Sequence, residues 1–435
     1  MYERRFVDEP LATLAQLFLL NRPVGRDRVE SVLAPDLIDG SLLRAEGDRV
    51  VATAMITPFA GVLVASDPRP EREPDHVPGI SRSTATAAAL AVRRPVASAL
   101  DLGTGSGALA LLAAGHSDRV TATDVNSRAF AFGRLSAQLS GVESVEWREG
   151  SLYAPVEGEQ FDYIGCNAPF VVSPDFRFAF RDSGLPGGEF SAELVRQAPN
   201  HLAEGGFAAL TVSWPLREAQ DWTEPLREWI RESGCDAWLL RYSAADPLTH
   251  AAVWNRPLDG ADPAAFAQTL DRWVAHFESA GVSQIVTGTV LLRRRSGGTN
   301  WIRADDLPPG PFRPASDHVL RVFANQDVLE RSGEEAIRRT PLVFAAPHSL
   351  RSTERGDGEW IRKRARLYLR DGLRFRLDLD ERTLAVLPRL DGQTPLSDLD
   401  TDPPLAEIRR LVELGFLTFA GAHREDRAEM ERLEG

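Results

Sequence analysis

One lysine, two cysteines and no long apolar run mark this 435-residue sequence. With only Cys166 and Cys235, a disulfide scaffold is excluded and a reducing compartment is expected. No Cys/His cluster has zinc-site spacing, so no metal is expected. Nothing approaches the ~18 consecutive apolar residues of a membrane span. Residues 1–10 are charged and lack the apolar core of a signal peptide, which points to the cytoplasm and to no membrane partner. Lys363 is the sole lysine, arginine supplying all the other positive charge, and no function follows from that. Net formal charge is −13, which opposes docking on nucleic acid phosphate. Oligomeric state is left open.

What is present is a soluble globular composition, 43% hydrophobic and 26% charged, long enough for two or three domains. Its chemistry is concentrated in residues 98–170. The apolar run Ala99-Leu100-Asp101-Leu102 breaks into Gly103-Thr104-Gly105-Ser106-Gly107 and a helix over 108–114. A second strand, 120–123, ends on Asp124. A third, 145–147, runs into Gly150-Ser151-Leu152, and a fourth, 161–166, ends on Asn167-Ala168-Pro169-Phe170. This is the βαβ layout of a nucleotide-binding sheet, with each polar signature at the carboxyl end of a strand. Glycines let the backbone turn and approach a ligand closely. Asp124 stands where an acid accepts hydrogen bonds from a ribose diol.

The order Asp-x-Gly-x-Gly-x-Gly over residues 101–107 resembles the first motif of class I S-adenosylmethionine-dependent methyltransferases. Asn167-Ala168-Pro169-Phe170 is similar to the Asn-Pro-Pro-Tyr/Phe motif of release-factor glutamine methyltransferases and adenine-N6 methyltransferases. The resemblance implies an α/β fold with a seven-stranded Rossmann-like sheet and S-adenosylmethionine as cofactor. It places Asp101, Gly103, Thr104, Gly105, Gly107, Asp124, Val125, Asn126, Ser151, Leu152 and Asn167 around that cofactor. Ser151 stands where many relatives carry an Asp. On the substrate side, the Asn167 oxygen and the Ala168 carbonyl would accept hydrogen bonds from a planar NH2, with the Phe170 ring packed on the substrate. Pro169 holds Ala168 extended. Ala168 itself replaces a proline, so Asn167 loses its pre-proline restriction while the carbonyl acceptor survives. Thr84 occupies the place of a Thr-Glu pair in the release-factor enzymes, but Ala85 replaces the acid. Phe170, Arg181 and Asp182 are the substrate-binding candidates; Asp182 either meets an amine of the substrate or pairs with Arg181.

Three domains are expected. Residues 1–76 form a helical, winged-helix-like unit carrying 9 Arg against 13 Asp plus Glu, which favours substrate covering or partner binding over reading DNA. Residues 77–302 form the methyltransferase domain, with a helix over 191–203 before a strand over 207–212. Residues 303–435 form a winged-helix-like α+β accessory domain. Within it, a three-residue loop Arg370-Asp371-Gly372 would pair Leu369 with Leu373, Leu367 with Phe375 and Arg366 with Arg376. A methyltransferase acting on a nitrogen of a small molecule or peptide ranks first. A protein side-chain (glutamine-type) N-methyltransferase, a nucleic-acid adenine N6-methyltransferase and a non-catalytic cofactor-binding protein follow in that order.

Overall fold

A computed structural model describes residues 10–38, 40, 42–69, 73–167, 169–175, 178–182, 187–259, 262–310, 312–356, 360–400 and 404–421. Contacts divide it into two compact units, one holding residues up to Ala88 with Arg94–Asp305, the other Ala89–Arg93 with residues from Asp306 onward.

The first unit begins with α1 (Pro10–Leu14), β1 (Val24–Gly25), α2 (Arg26–Glu30) and the hairpin β2 (Leu43–Glu46)–β3 (Arg49–Ala52). Leu17, Val24, Val29, Leu43 and Val50 close a small core of their own. A second hairpin follows, β4 (Met55–Phe59)–β5 (Val62–Ser66), and then helix α3 (Arg82–Leu90).

The apolar runs read from the sequence become the strands of one large sheet. They are β6 (Val96–Leu102), β7 (Ser117–Asp124), β8 (Val145–Glu149) and β9 (Phe161–Cys166), with α4 (Ala108–Ala114) and α5 (Ser127–Ser140) as crossovers. After α6 (Glu189–Gln197) come β10 (Leu202–Leu216), α7 (Glu224–Trp229), β11 (Cys235–Ala245), the helices α8 (Pro247–Asp259) and α9 (Pro263–Ser279), and β12 (Gln284–Arg294). An eighth strand, β13 (Ile302–Asp306), extends the seven expected, giving the order β13-β11-β12-β10-β9-β6-β7-β8. Strands β6 to β10 pair in parallel, and β12 runs antiparallel between β10 and β11. The central strands are buried on both faces, as a parallel sheet covered by helices requires. The β4–β5 hairpin is tied to α5, with Leu63 N–H donating to Ser140 Oγ and Ala65 N–H to Ser136 Oγ.

One boundary moved. Helix α6 stops at Gln197, six residues short of the expected end, and β10 begins at Leu202. Leu202 pairs with Phe161 before a break in register, and Phe207 resumes against Tyr163. Gly205 absorbs that irregularity at φ 75°, so the Gly-Gly pair bends a strand and does not end a helix.

The second unit comprises α10 (Ser316–Arg339), β14 (Leu342–Phe344), β15 (His348–Gly356), β16 (Trp360–Leu369), β17 (Arg376–Leu379), α11 (Glu381–Val386), α12 (Leu405–Glu413) and β18 (Leu417–Phe419). The expected hairpin register is corrected by two residues. Leu367 faces Leu377, and Arg366 faces Asp378 with an ion pair at 2.5 Å. The loop spans five residues because Gly372 and Arg374 both take positive φ. A Cβ on Gly372 would meet the buried His318 ring at 2.7 Å, and the His318 Nδ1 accepts the Leu373 N–H. A two-residue slip keeps every side chain on its face, so Ala365, Leu367, Leu369, Leu373 and Phe375 stay buried while the Arg–Arg repulsion is relieved. Among the described residues no helix is long and apolar enough to cross a membrane, and no His/Cys/Asp/Glu group could hold a metal.

Candidate active site

Strand order reverses at β6, which has β7 on one side and β9 on the other. In open α/β sheets ligands bind outside the strand carboxyl ends at such a switch point. A cavity of about 500 Å³ opens there. Its lining includes Asp101, Gly103, Thr104, Gly105, Asp124, Val125, Asn126, Ser151, Leu152, Asn167, Pro169, Phe170, Arg181 and Asp182. Residues scattered over 82 positions of sequence thus meet around one space. Gly107 stands behind it. Its φ of 84° starts α4, and a Cβ there would meet Trp147 at 3.1 Å and the Gly133 backbone at 3.2 Å. Ala168 and residues 183–186 lie outside the described residues.

The glycine turn is braced by two acids. Asp101 Oδ2 accepts from Thr104 Oγ1 at 2.6 Å and from the Ala110 N–H at 2.9 Å, fixing the first turn of α4. Its Oδ1 is buried without a partner. Burial pushes the Asp101 carboxyl up to about 7, against hydrogen bonds from Thr104 and Ala110 that lower it. Asp124 Oδ2 accepts the Gly105 N–H at 2.8 Å and its Oδ1 the Asn126 N–H at 2.9 Å. Burial raises this carboxyl as well. Val125 follows it with an apolar side chain 54% exposed. Asn126 has a further, structural task. Its Oδ1 caps α5 at the Arg128 N–H, and its Nδ2 donates to the Asp75 carbonyl. That tie, with Arg128 bonded to Asp67, anchors the segment carrying Arg69 and His76 along the cavity.

Opposite lies the end of β9. Asn167 Nδ2 donates to Thr84 Oγ1 at 3.4 Å, whereas its Oδ1 is buried and has no partner. Thr84 is held in turn by Ser81, whose Oγ accepts the Thr84 N–H at the start of α3. Asp182 is fully buried and pairs with Arg181 through two bonds of 2.8 and 3.0 Å, and its Oδ2 also accepts the Phe178 N–H. The Arg181 guanidinium stacks over Phe178 and Trp273. Aromatic residues unnoticed in the sequence complete this side: His76, Phe180 and Trp254. Phe170 meets Trp254 edge to face at 6.1 Å.

An orphaned buried acceptor at each end, an exposed apolar side chain beside Asp124 and a glycine turn with positive φ suit a nucleoside carrying an amino acid tail. Residues 84–218 match the family model described as "Methyltransferase small domain". The chain carries a class I S-adenosylmethionine-dependent methyltransferase domain. Residues 3–53 match a second model, a "Domain of unknown function (DUF7059)". Over 126 residues the chain is 35% identical to a release factor glutamine methyltransferase of Xylella fastidiosa, covering 26% of this chain and 46% of that protein. It is 36% identical over 140 residues to the enzyme of the same name from Deinococcus radiodurans, 29% and 49% covered. A ribosomal protein uL3 glutamine methyltransferase of Bradyrhizobium diazoefficiens is 35% identical over 121 residues, 25% and 38% covered. The chain spans about half the length of the release factor relatives it matches. Among solved structures, a methyltransferase from Pyrococcus furiosus is 20% identical with TM-score 0.28, covering 47% of this chain and 77% of that one.

Proposed function

We propose that this protein methylates a planar NH2 nitrogen, first of all that of a carboxamide in a peptide or protein substrate, using S-adenosylmethionine. The carrying observation is the Asn167 Oδ1, a buried acceptor without a partner in the cavity, held by an amide whose other end is fixed on Thr84. A buried polar atom left unpaired costs ~1–3 kcal/mol, and a substrate N–H removes that cost. The names of the relatives, glutamine methyltransferases of release factors and a ribosomal protein, support a carboxamide acceptor. The amino group of adenine offers the same hydrogen bonds, but a chain charge of −13 opposes a polyanionic substrate.

The bound sulfonium would supply an electrophilic methyl group. The chain's own contribution is placement and exclusion of water. Gly103 and Gly105 would let the backbone approach the donor; Asp124 would accept from its ribose and Asp101 Oδ1 from its ammonium, and Val125 offers an apolar surface for the adenine. Asn167 Oδ1 accepts one N–H of the substrate, drawing electron density towards the nitrogen and fixing its direction. Phe170 packs on the flat face of the group.

The test is transfer of an isotope-labelled methyl from the donor into extract fractions separated into small molecules, peptides, proteins and RNA. A methylated peptide or protein that releases labelled methylamine on acid hydrolysis is expected. Label released as methanol by mild base, or retained on carbon, would overturn the nitrogen assignment.

A further inference from the structure

Helices α8 and α9 lie beyond residues 84–218, the stretch shared with the methyltransferase family model. They form a hairpin inserted between β11 and β12, and every polar tie they make to the segment after β9 points to one design. His250 Nε2 donates to the Val172 carbonyl at 2.9 Å. Trp273 Nε1 donates to Asp175 Oδ2 at 2.8 Å, and Arg272 pairs with the same carboxylate. Val171, Val172, Ala251, Trp273 and Phe277 share one apolar cluster. Burial pushes the His250 imidazole down to about 4, so at neutral pH it is an uncharged donor that can be packed among rings. The segment after Asn167 is therefore stitched to the hairpin at Val172 and Asp175.

Trp254 lies one helical turn after His250 and is carried to the cavity wall by this latch. Its ring stands edge to face with Phe170, and its carbonyl accepts from Arg181 Nη1 at 3.4 Å. Phe178 meets Phe180 at a tilt with ring centroids 5.4 Å apart, and Phe180 meets His76 likewise at 5.7 Å. The acceptor end of the cavity is thus walled by rings, and the Arg181 charge beside it is matched by Asp182. Arg69 is exposed and lines the same cavity.

We infer that the α8–α9 hairpin is the acceptor-selecting element of this site, and that Trp254 with Phe170 forms an aromatic slot for a planar, uncharged group bearing an N–H. This rests on the cavity being a methyl-acceptor site, and it adds to that reading a part of the chain outside the shared domain. A flat amide can lie against the ring faces and reach Asn167 Oδ1, whereas a carboxylate would set like charge and lone pairs against that oxygen. An ammonium or amidinium would be desolvated against rings with Asp182 already paired.

The test uses three isosteric probes, benzamide, benzoate and benzamidinium, titrated by ligand-observed NMR into the full chain saturated with S-adenosylhomocysteine. Benzamide is expected to bind about tenfold more tightly than either ion, an aromatic contact and one hydrogen bond deciding the difference. Trp254→Ala and Trp254→Leu should each weaken benzamide about tenfold. S-adenosylhomocysteine affinity, by calorimetry, should stay within about twofold, because the donor is held by other residues. Equal binding of the three probes, no binding of benzamide, or benzamide affinity unchanged in both variants overturns the inference. So does benzoate binding as tightly as benzamide, which would make Arg69 the anchor. Should Trp254 variants fail to fold, the ranking of the probes on the wild-type chain still decides. Failure of the nitrogen-methylation reading shows separately, as absence of labelled methylamine from the wild-type enzyme.

Discussion

The donor half of the cavity draws on residues 101–152, each within one βα step of the next, whereas the acceptor half collects His76, Asn167, Phe170, Phe180, Asp182 and Trp254 from across 179 positions. The donor half is made of local chemistry. Its glycines carry positive φ, and its acids accept from N–H groups of the same βαβ unit, Asp101 from Ala110 and Asp124 from Gly105. The acceptor half is made of tertiary chemistry, a buried ion pair and an edge-to-face ring pair placed by a helical hairpin. Local constraints recur wherever the ligand is the same. Tertiary ones can change with the substrate while the donor half stands unaltered. If that division is real, damage to one half should leave the other working.

Asp182→Asn is the strongest attempt to break it. Removing one partner of a buried pair leaves the Arg181 charge uncompensated and costs ~3–5 kcal/mol of stability. Thermal and denaturant unfolding should show that loss, with donor affinity by calorimetry unchanged at a temperature where the protein is folded. Unchanged stability together with weakened acceptor binding would make Asp182 a substrate ligand and not a strut.

Next comes Asn167→Ala, expected to slow transfer about 100-fold through lost orientation while donor binding and melting temperature stay nearly unchanged. A normal single-turnover rate with a lowered melting point would reduce Asn167 to capping the end of β9. Asp124→Ala should do the converse. Loss of a buried, charged acceptor weakens the donor by ~1–3 kcal/mol, and at saturating donor the rate should recover. A rate defect that saturation does not repair would show that Asp124, which also braces Gly105, shapes both halves.

How much was legible follows the same line. Asp101, Gly103, Gly105 and Asp124 could be named from spacing because strand, turn and helix N-terminus are fixed by adjacent residues. Gly107 shows the limit of that reading, since besides its positive φ a glycine is needed there to clear the Trp147 ring 40 residues away. Strand β9 ends at Cys166 with Asn167 next, as expected, but nothing in sequence tells that the Asn167 oxygen is left unpaired while its nitrogen finds Thr84. Trp254 was invisible for a different reason. An aromatic residue on a helix between two strands looks like core, and only the latch between His250 and Val172 turns it to the cavity. The hairpin at Arg366 differs from the expected register by two residues because Gly372 alone does not set the loop length; His318 and the second positive φ at Arg374 are not readable from the turn sequence.

The smallest effect expected is a proton, and it falls on the donor side. Burial raises the Asp101 carboxyl to about 7 from an ordinary 3.8, so folding favours its neutral form. Its contribution to stability is therefore full below pH 3.8 and is lost as pH rises through about 7, the unfolded chain binding fewer protons across that window. On the proposed reading the donor's ammonium would reverse the preference, because the partnerless Oδ1 would gain a cation and the carboxylate form is the one that would bind it. Donor affinity should then fall about tenfold from pH 8 to pH 6, near 1.4 kcal/mol, and proton release on binding should appear in calorimetry run in buffers of different ionisation enthalpy. Asp101→Asn should flatten that slope and leave benzamide binding as it was. A slope that persists in Asp101→Asn would move the linked proton to another group and leave Oδ1 a buried orphan of the turn, not a contact of the donor.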